Sequence, residues 1–169
     1  GRLPMSDFGG QHRYNVTGLV HDMWGFPSGD PRIAHGLLRH LTDKIKNNVN
    51  AICRHKEYYL DDARTVLISY GGSARSALHV VEHQRAYGER IGLLELQTLW
   101  PFPYKLVEEK CKDARHIVVV EMNMGQITRT VKRAVWQPER VVLANRIDGV
   151  FITPSDIKNI LRLVQGKGV

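Results

Sequence analysis

From Thr65 to Val135 short apolar runs alternate with stretches of helical period, and each apolar run stops at Gly, Asn or Pro before the next helix begins. Val66 to Ser69 is too short for a helix and ends at Gly71-Gly72, which predicts a buried parallel strand. Ser73 then opens a helix with Ala74, Ala77, Leu78 and Val81 inward, closed by Tyr87-Gly88. Ile91 to Leu96 predicts a second strand, and Pro103 starts a helix through about Lys112 that turns Leu106, Val107 and Cys111 to the sheet. Ile117 to Val120, four β-branched residues in a row, expects cover on both faces and a central place. Gln126 to Val135 reads as a short helix with Ile127, Val131 and Val135 on one side. Val141 to Ala144 reads as a strand, and Ile147 to Ile152 as a weaker one because of Gly149. Thr153-Pro154-Ser155-Asp156 gives a capped start to a last helix striped by Ile157, Ile160, Leu161 and Val164.

Upstream the pattern is different. Residues 1–30 keep no period and predict an irregular arm with a short strand at Tyr14 to Val20. Asp30 caps and Pro31 begins a helix with Ile33, Leu37, Leu38, Leu41 and Ile45 on one face, ending near Asn47-Asn48; a link from Val49 to Asp62 follows. The predicted organisation is therefore an arm, helix and linker over 1–62, an α/β domain over 63–165, and a frayed tail over 166–169. The fold class is a Rossmann-like three-layer αβα sandwich on a mostly parallel sheet.

Composition narrows the function classes. The 169 residues are 43% apolar and 24% charged, ordinary for a globular chain, and no apolar run is long enough to span a bilayer. The net charge of +7 invites a nucleic-acid reading, but residues 1–60 hold eight Lys/Arg against five Asp/Glu and residues 61–169 sixteen against twelve, so no basic stripe forms. The start Gly1-Arg2-Leu3-Pro4 has no signal-peptide core and no initiating Met, which predicts a cytoplasmic protein cut from a longer one. Cys53 and Cys111 make no C-x-x-C, His35 and His40 lie on different helix faces, and no H-E-x-x-H occurs, so neither a cysteine site nor zinc is expected.

Parallel strands present their carboxyl ends to one edge, where ligands and partners dock. Gly71, Gly72, Ser73, Ala74 and Arg75 follow a strand and precede a helix, so they are candidates for an anion or partner contact. The sequence there is neither G-x-G-x-x-G nor a Walker loop. Met122, Asn123, Met124, Gly125 and Gln126 follow the strongest strand and, with Trp100 and Phe102 of the Trp-Pro-Phe-Pro block, are candidate interface residues. His21, Asp22 and Trp24 form the arm's candidate contact; a structural hydrogen bond competes with a proton-transfer role for the His-Asp pair.

Val16-Thr17-Gly18-Leu19 with His21-Asp22 and Gly25, Ser69-Tyr70-Gly71 with Ser73-Ala74-Arg75-Ser76, Leu99-Trp100-Pro101-Phe102-Pro103, and Val118 through Gln126 together resemble the C-terminal part of the alpha subunit of 2-oxoacid:ferredoxin oxidoreductases, in particular the 2-oxoglutarate branch. The resemblance implies a transketolase C-terminal-domain-like fold. It also implies a whole enzyme that decarboxylates a 2-oxoacid on thiamine diphosphate and Mg2+, passes electrons through iron–sulfur clusters to ferredoxin and yields an acyl-CoA. It implies a beta subunit as partner, gamma or delta subunits where present, and no cofactor or catalytic residue on this segment, with a homodimer left open. Val20, Met23 and Gly72 depart from the family pattern. Two alternatives remain: the equivalent domain of a 2-oxoacid dehydrogenase E1 beta or another transketolase-like enzyme, and a free-standing module binding CoA or another anion.

Overall fold

The computed structural model describes residues 6–166, so the readings of the first four residues and of most of the 166–169 tail lie outside the described residues. The chain divides into two compact units, Gly1–Asn48 and Val49–Val169.

In the first unit Asp30 caps helix α1 (Pro31–Lys46), its Oδ1 accepting from Arg32 N at 2.8 Å with Pro31 in the first turn. No α1 residue is buried: Leu38 and Leu41 are exposed, and Ile33, Leu37 and Ile45 are half-buried. The strand expected at Tyr14 to Val20 does not form. That stretch has no partner strand; the bridge between His21 and Pro27 comes just after it.

The second unit runs α2 (Val49–Ile52), β1 (His55–Tyr58), β2 (Thr65–Tyr70), α3 (Gly71–Ala86), β3 (Ile91–Leu96), α4 (Tyr104–Cys111), β4 (His116–Glu121), α5 (Gln126–Ala134), a 3-10 turn at Pro138–Arg140, β5 (Val141–Asn145) and α6 (Pro154–Val164). The strands form one sheet in the order β1-β3-β2-β4-β5, parallel except for antiparallel β1 at the edge. The expected link from Val49 to Asp62 thus contributes the antiparallel edge strand His55–Tyr58 to the sheet.

Strand parity sorts the core into two layers, because successive side chains point to opposite faces. Leu67, Leu93, Val118 and Val120 meet Ala77, Val80 and Val81 of α3 and Ile157 and Leu161 of α6. Val66, Ile68, Leu94, Ile117 and Val119 meet Val107 and Cys111 of α4 and Val131 of α5 on the other face. The apolar runs read as doubly covered strands are therefore doubly covered, and the architecture is the expected three-layer sandwich. β4 is interior, but the middle strand is β2. The sixth strand expected at Ile147 to Ile152 is a loop: Val150 N donates to Asp148 Oδ1 at 3.0 Å, Gly149 sits at φ +81°, and only Ile152 is buried. At the start of α6, Thr153 and Asp156 complete the expected capping box.

Candidate functional site

The chain climbs β2, returns through α3 to β3 on one side, then crosses by α4 to β4 on the other side of β2. Strand order reverses between β2 and β4, and the crevice beyond their carboxyl ends is where α/β sheets hold ligands. Tyr70 ends β2, and Glu121 ends β4.

Glu121 is fully buried, and its carboxylate is surrounded by donors. Oε1 accepts from Thr128 N at 3.0 Å and Thr128 Oγ1 at 2.6 Å, and Oε2 from Ile127 N at 3.1 Å and the Tyr70 hydroxyl at 3.2 Å. Asn123 Oδ1 accepts from Gly125 N at 2.9 Å and Gln126 N at 3.0 Å, while its amide donates to the Tyr70 hydroxyl at 2.5 Å. A helix N-terminus leaves its leading N–H groups without intrahelical partners. Here those of residues 125–128 are all taken by Glu121 and Asn123, so the start of α5 has no vacancy for an external anion. Gly125 at φ +86° makes the turn between them, and a Cβ there would lie 3.2 Å from Leu143 Cδ2.

Tyr70 and Cys111 carry raised pKa values. Burial first, and then the neighbouring Glu121 charge, push the Tyr70 phenol from 10.0 to about 12; burial pushes the Cys111 thiol from 9.0 to about 12. In both cases folding favours the neutral form. That contribution to stability is complete below the ordinary values and disappears as pH rises through the folded ones. The melting temperature is therefore expected to fall between about pH 9 and 12, and the fall should be shallower in Tyr70→Phe. Identical alkaline profiles for parent and variant would remove this assignment for Tyr70.

The Gly71 to Arg75 segment is no loop: α3 begins directly at Gly71, two residues earlier than the Ser73 start expected, with Gly71 at φ +56°. Ser73 turns inward, donating to Tyr70 O at 2.8 Å and lying 3.0 Å from Ser69 Oγ, which donates to Val120 O at 2.8 Å. Ala74 is buried, and the Phe151 ring covers Gly72, where a Cβ would meet it at 2.7 Å. No side chain caps α3. Gly71, Gly72, Ala74 and Arg75 line an open recess of about 430 Å³ with Lys56, Tyr58, Leu78 and Glu95. Sequence reasoning missed Lys56 and Glu95, because Lys56 lies on the unread edge strand that sets it opposite Glu95.

The interface candidates separate. Trp100 is 73% exposed and Met124 68%, whereas Phe102 is 8% exposed and belongs to the core beside α4, its ring edge-on to Tyr104 at 5.0 Å. Met122 packs against the α3 and α6 layer, and Gln126 is exposed on the first turn of α5. Ile147, Val150 and Phe151, expected in a strand, are also exposed on the loop after β5.

In the first unit Asp22 Oδ1 accepts from Trp24 N at 2.9 Å and Phe26 N at 3.0 Å, and His21 Nε2 lies 2.8 Å from Thr17 Oγ1. Asp22 does not bond to His21; it staples a loop that Ser28 N closes onto Val20 O at 2.8 Å and that leaves Met23, Trp24 and Phe26 exposed. Among the described residues no group of three or more His, Cys, Asp or Glu could hold a metal ion, and no helix is long and apolar enough to cross a membrane.

The sheet order, the covered faces and the switch point at β2 and β4 define a Rossmann-like α/β domain of the transketolase C-terminal type. Residues 63–157 match pyruvate:ferredoxin oxidoreductase core domain II, and the chain belongs to that family. It is 36% identical over 156 residues to the 2-oxoglutarate synthase subunit KorA of Methanothermobacter marburgensis, covering 92% of this chain and 42% of the relative. It is 37% identical over 114 residues to the ketoisovalerate oxidoreductase subunit VorB of the same organism, covering 68% of this chain and 32% of VorB. The chain thus spans less than half the length of the curated relatives it matches. Among solved structures, the 2-oxoglutarate:ferredoxin oxidoreductase from Magnetococcus marinus, solved with 2-oxoglutarate, coenzyme A and succinyl-CoA bound, shares the fold at a TM-score of 0.81 and 20% identity, covering 95% of this chain and 28% of that one. A split-gene transketolase, an inactive beta4 tetramer, aligns at a TM-score of 0.50 and 18% identity over 66% of this chain and 40% of that one.

Proposed function

We propose that this chain is the structural and subunit-contact domain of the alpha subunit of a thiamine diphosphate-dependent 2-oxoglutarate:ferredoxin oxidoreductase. The observation that carries this reading is the division of labour at the carboxyl edge. Its polar groups, Glu121, Asn123 and Ser73, are spent on the protein's own backbone, while Trp100, Met124, Ile147, Val150 and Phe151 are exposed on the loops. An edge with satisfied polar groups and bare apolar side chains suits contact with another polypeptide better than turnover.

The described residues do not fit the cofactors of the whole enzyme. The carboxylate nearest the switch point has four donors already, Cys111 is fully buried, and no group of three or more His, Cys, Asp or Glu among the described residues could hold a metal ion. On this reading thiamine diphosphate, Mg2+ and the clusters are held by other parts of the complex, and no chemical step is placed on this chain. The beta subunit is the primary partner; gamma or delta subunits and ferredoxin enter through the assembled complex, which on this reading is cytoplasmic.

A second reading draws on the uncapped start of α3 beside Lys56 and Arg75, which suits the phosphates of CoA. Glu95, on the same recess and accepting from the Tyr58 hydroxyl at 3.2 Å, opposes it. Thermal melting with CoA or pyrophosphate separates the two readings. The contact-domain reading expects no shift at millimolar ligand. The anion reading expects about 2.7 kcal/mol of stabilisation at a hundred times the dissociation constant, lost in Arg75→Ala.

A further inference from the structure

α3 buries Ser73, Ala74, Ala77, Val80 and Val81 against the sheet and α6, and the opposite side of the helix presents His79, Glu82 and His83 to solvent. His79-Val80-Val81-Glu82-His83 has the spacing H-x-x-E-H. Residues four apart on a helix are neighbours on one face, which is the spacing at which two imidazoles can share one ion. The two rings lie with centroids 6.4 Å apart and planes at 41°. Two imidazoles in adjacent positions on one ion hold their centroids about 4.5 to 5.5 Å apart, given metal–nitrogen bonds of about 2.1 Å. Exposed side chains close that difference by small χ rotations. Neither ring nitrogen pair is engaged in a hydrogen bond to a described residue; the His83 ring stands 5.0 Å from the ring of Tyr87, one turn further on.

We propose that His79 and His83 form a two-imidazole site for a divalent transition ion of the Cu2+, Ni2+ or Zn2+ class, with Glu82 supplying negative charge beside it. Imidazole suits these borderline ions, and Cu2+ binds tightest in the divalent series. No third His, Cys, Asp or Glu completes the set among the described residues. The ion therefore keeps open positions for water or for a donor from another polypeptide. The expectation of no zinc weighed only His35, His40 and the H-E-x-x-H order. The inverted order escaped it, and the buried Val80 and Val81 between the two histidines show that the pair lies on the solvent side.

The test is a Cu2+ titration of the chain at pH 7.5, followed by calorimetry and electron paramagnetic resonance. The expected result is one ion per chain with two equatorial nitrogens, an affinity at least tenfold weaker in His79→Ala and in His83→Ala, and no change in His35→Ala/His40→Ala. The melting temperature should also rise with Cu2+ in the parent and in His35→Ala/His40→Ala but not in His79→Ala or His83→Ala, since only the folded helix holds the two rings together. Both positions are exposed, and unchanged circular dichroism verifies the fold of each variant. An affinity unaltered by either substitution, or a spectrum with a single coordinated nitrogen, overturns the site.

Discussion

Glu121→Gln is expected to lower the unfolding free energy by about 3 kcal/mol, read from urea denaturation of the parent and variant. The carboxylate accepts from Ile127 N, Thr128 N, Thr128 Oγ1 and the Tyr70 hydroxyl, two donors to each oxygen. An amide keeps one acceptor and turns an N–H2 group toward the other pair of donors; the hydroxyl of that pair can rotate to accept, but its backbone N–H loses its partner in a buried site. A buried donor left without an acceptor costs about 1 to 3 kcal/mol. Loss of this cap also frees the start of α5, so hydrogen exchange should accelerate first at Ile127 and Thr128. A loss below about 1 kcal/mol would mean that the carboxylate is not the hub described.

Gly92→Ala is expected to cost a comparable amount, about 3 kcal/mol, and to loosen the β1 edge before the rest of the sheet. A Cβ at Gly92 would stand 2.5 Å from Tyr59 O and 2.9 Å from both Tyr58 O and Leu60 Cδ2. Two of those atoms are backbone carbonyls and cannot swing aside. Tyr59 is itself held at φ +55°, and its carbonyl accepts from Arg85 Nη2 at 2.7 Å. Arg85 also pairs with Asp62 at 2.7 Å, so the segment beyond β1 has little freedom to retreat. Hydrogen exchange at residues 55–58 that rises more than at residues 117–120 is the expected signature. A variant as stable as the parent would contradict this account of the edge.

The elements legible in the sequence were those whose side chains alone determine burial. Ile117 to Val120 and Ile91 to Leu96 read as strands because their apolar runs are covered on both faces. The α6 start was legible because a capping box is a local signature. What was missed depended on neighbours distant in sequence. β1 is His-Lys-Glu-Tyr, polar and four residues long, and becomes a strand only because β3 offers it an edge. Val150 and Phe151 look like strand residues, but Asp148 binds the backbone of its own turn and directs the chain outward. Gly71-Gly72 reads as punctuation, yet the helix starts there because Ser73 folds back onto Tyr70.

The same distinction applies to the candidate site. The Glu121 to Gln126 segment was found from its place after a strong strand. Its one- and two-residue spacings could not show that Glu121 and Asn123 turn inward and leave Met124 outside. Trp100 and Phe102 stand two residues apart in an inert-looking block, and only the packing against α4 separates an exposed side chain from a core one.

The central proposal is that the carboxyl-edge loops dock onto another polypeptide, and its most direct test is the affinity of the full-length protein for the proposed beta-subunit partner with and without Met124→Asp and Trp100→Ala. The account predicts a loss of about 30-fold or more for each, with melting temperatures close to the parent's because both side chains are exposed in this fold. Unchanged affinity in both variants, or oxoacid decarboxylation by this chain alone, would contradict it.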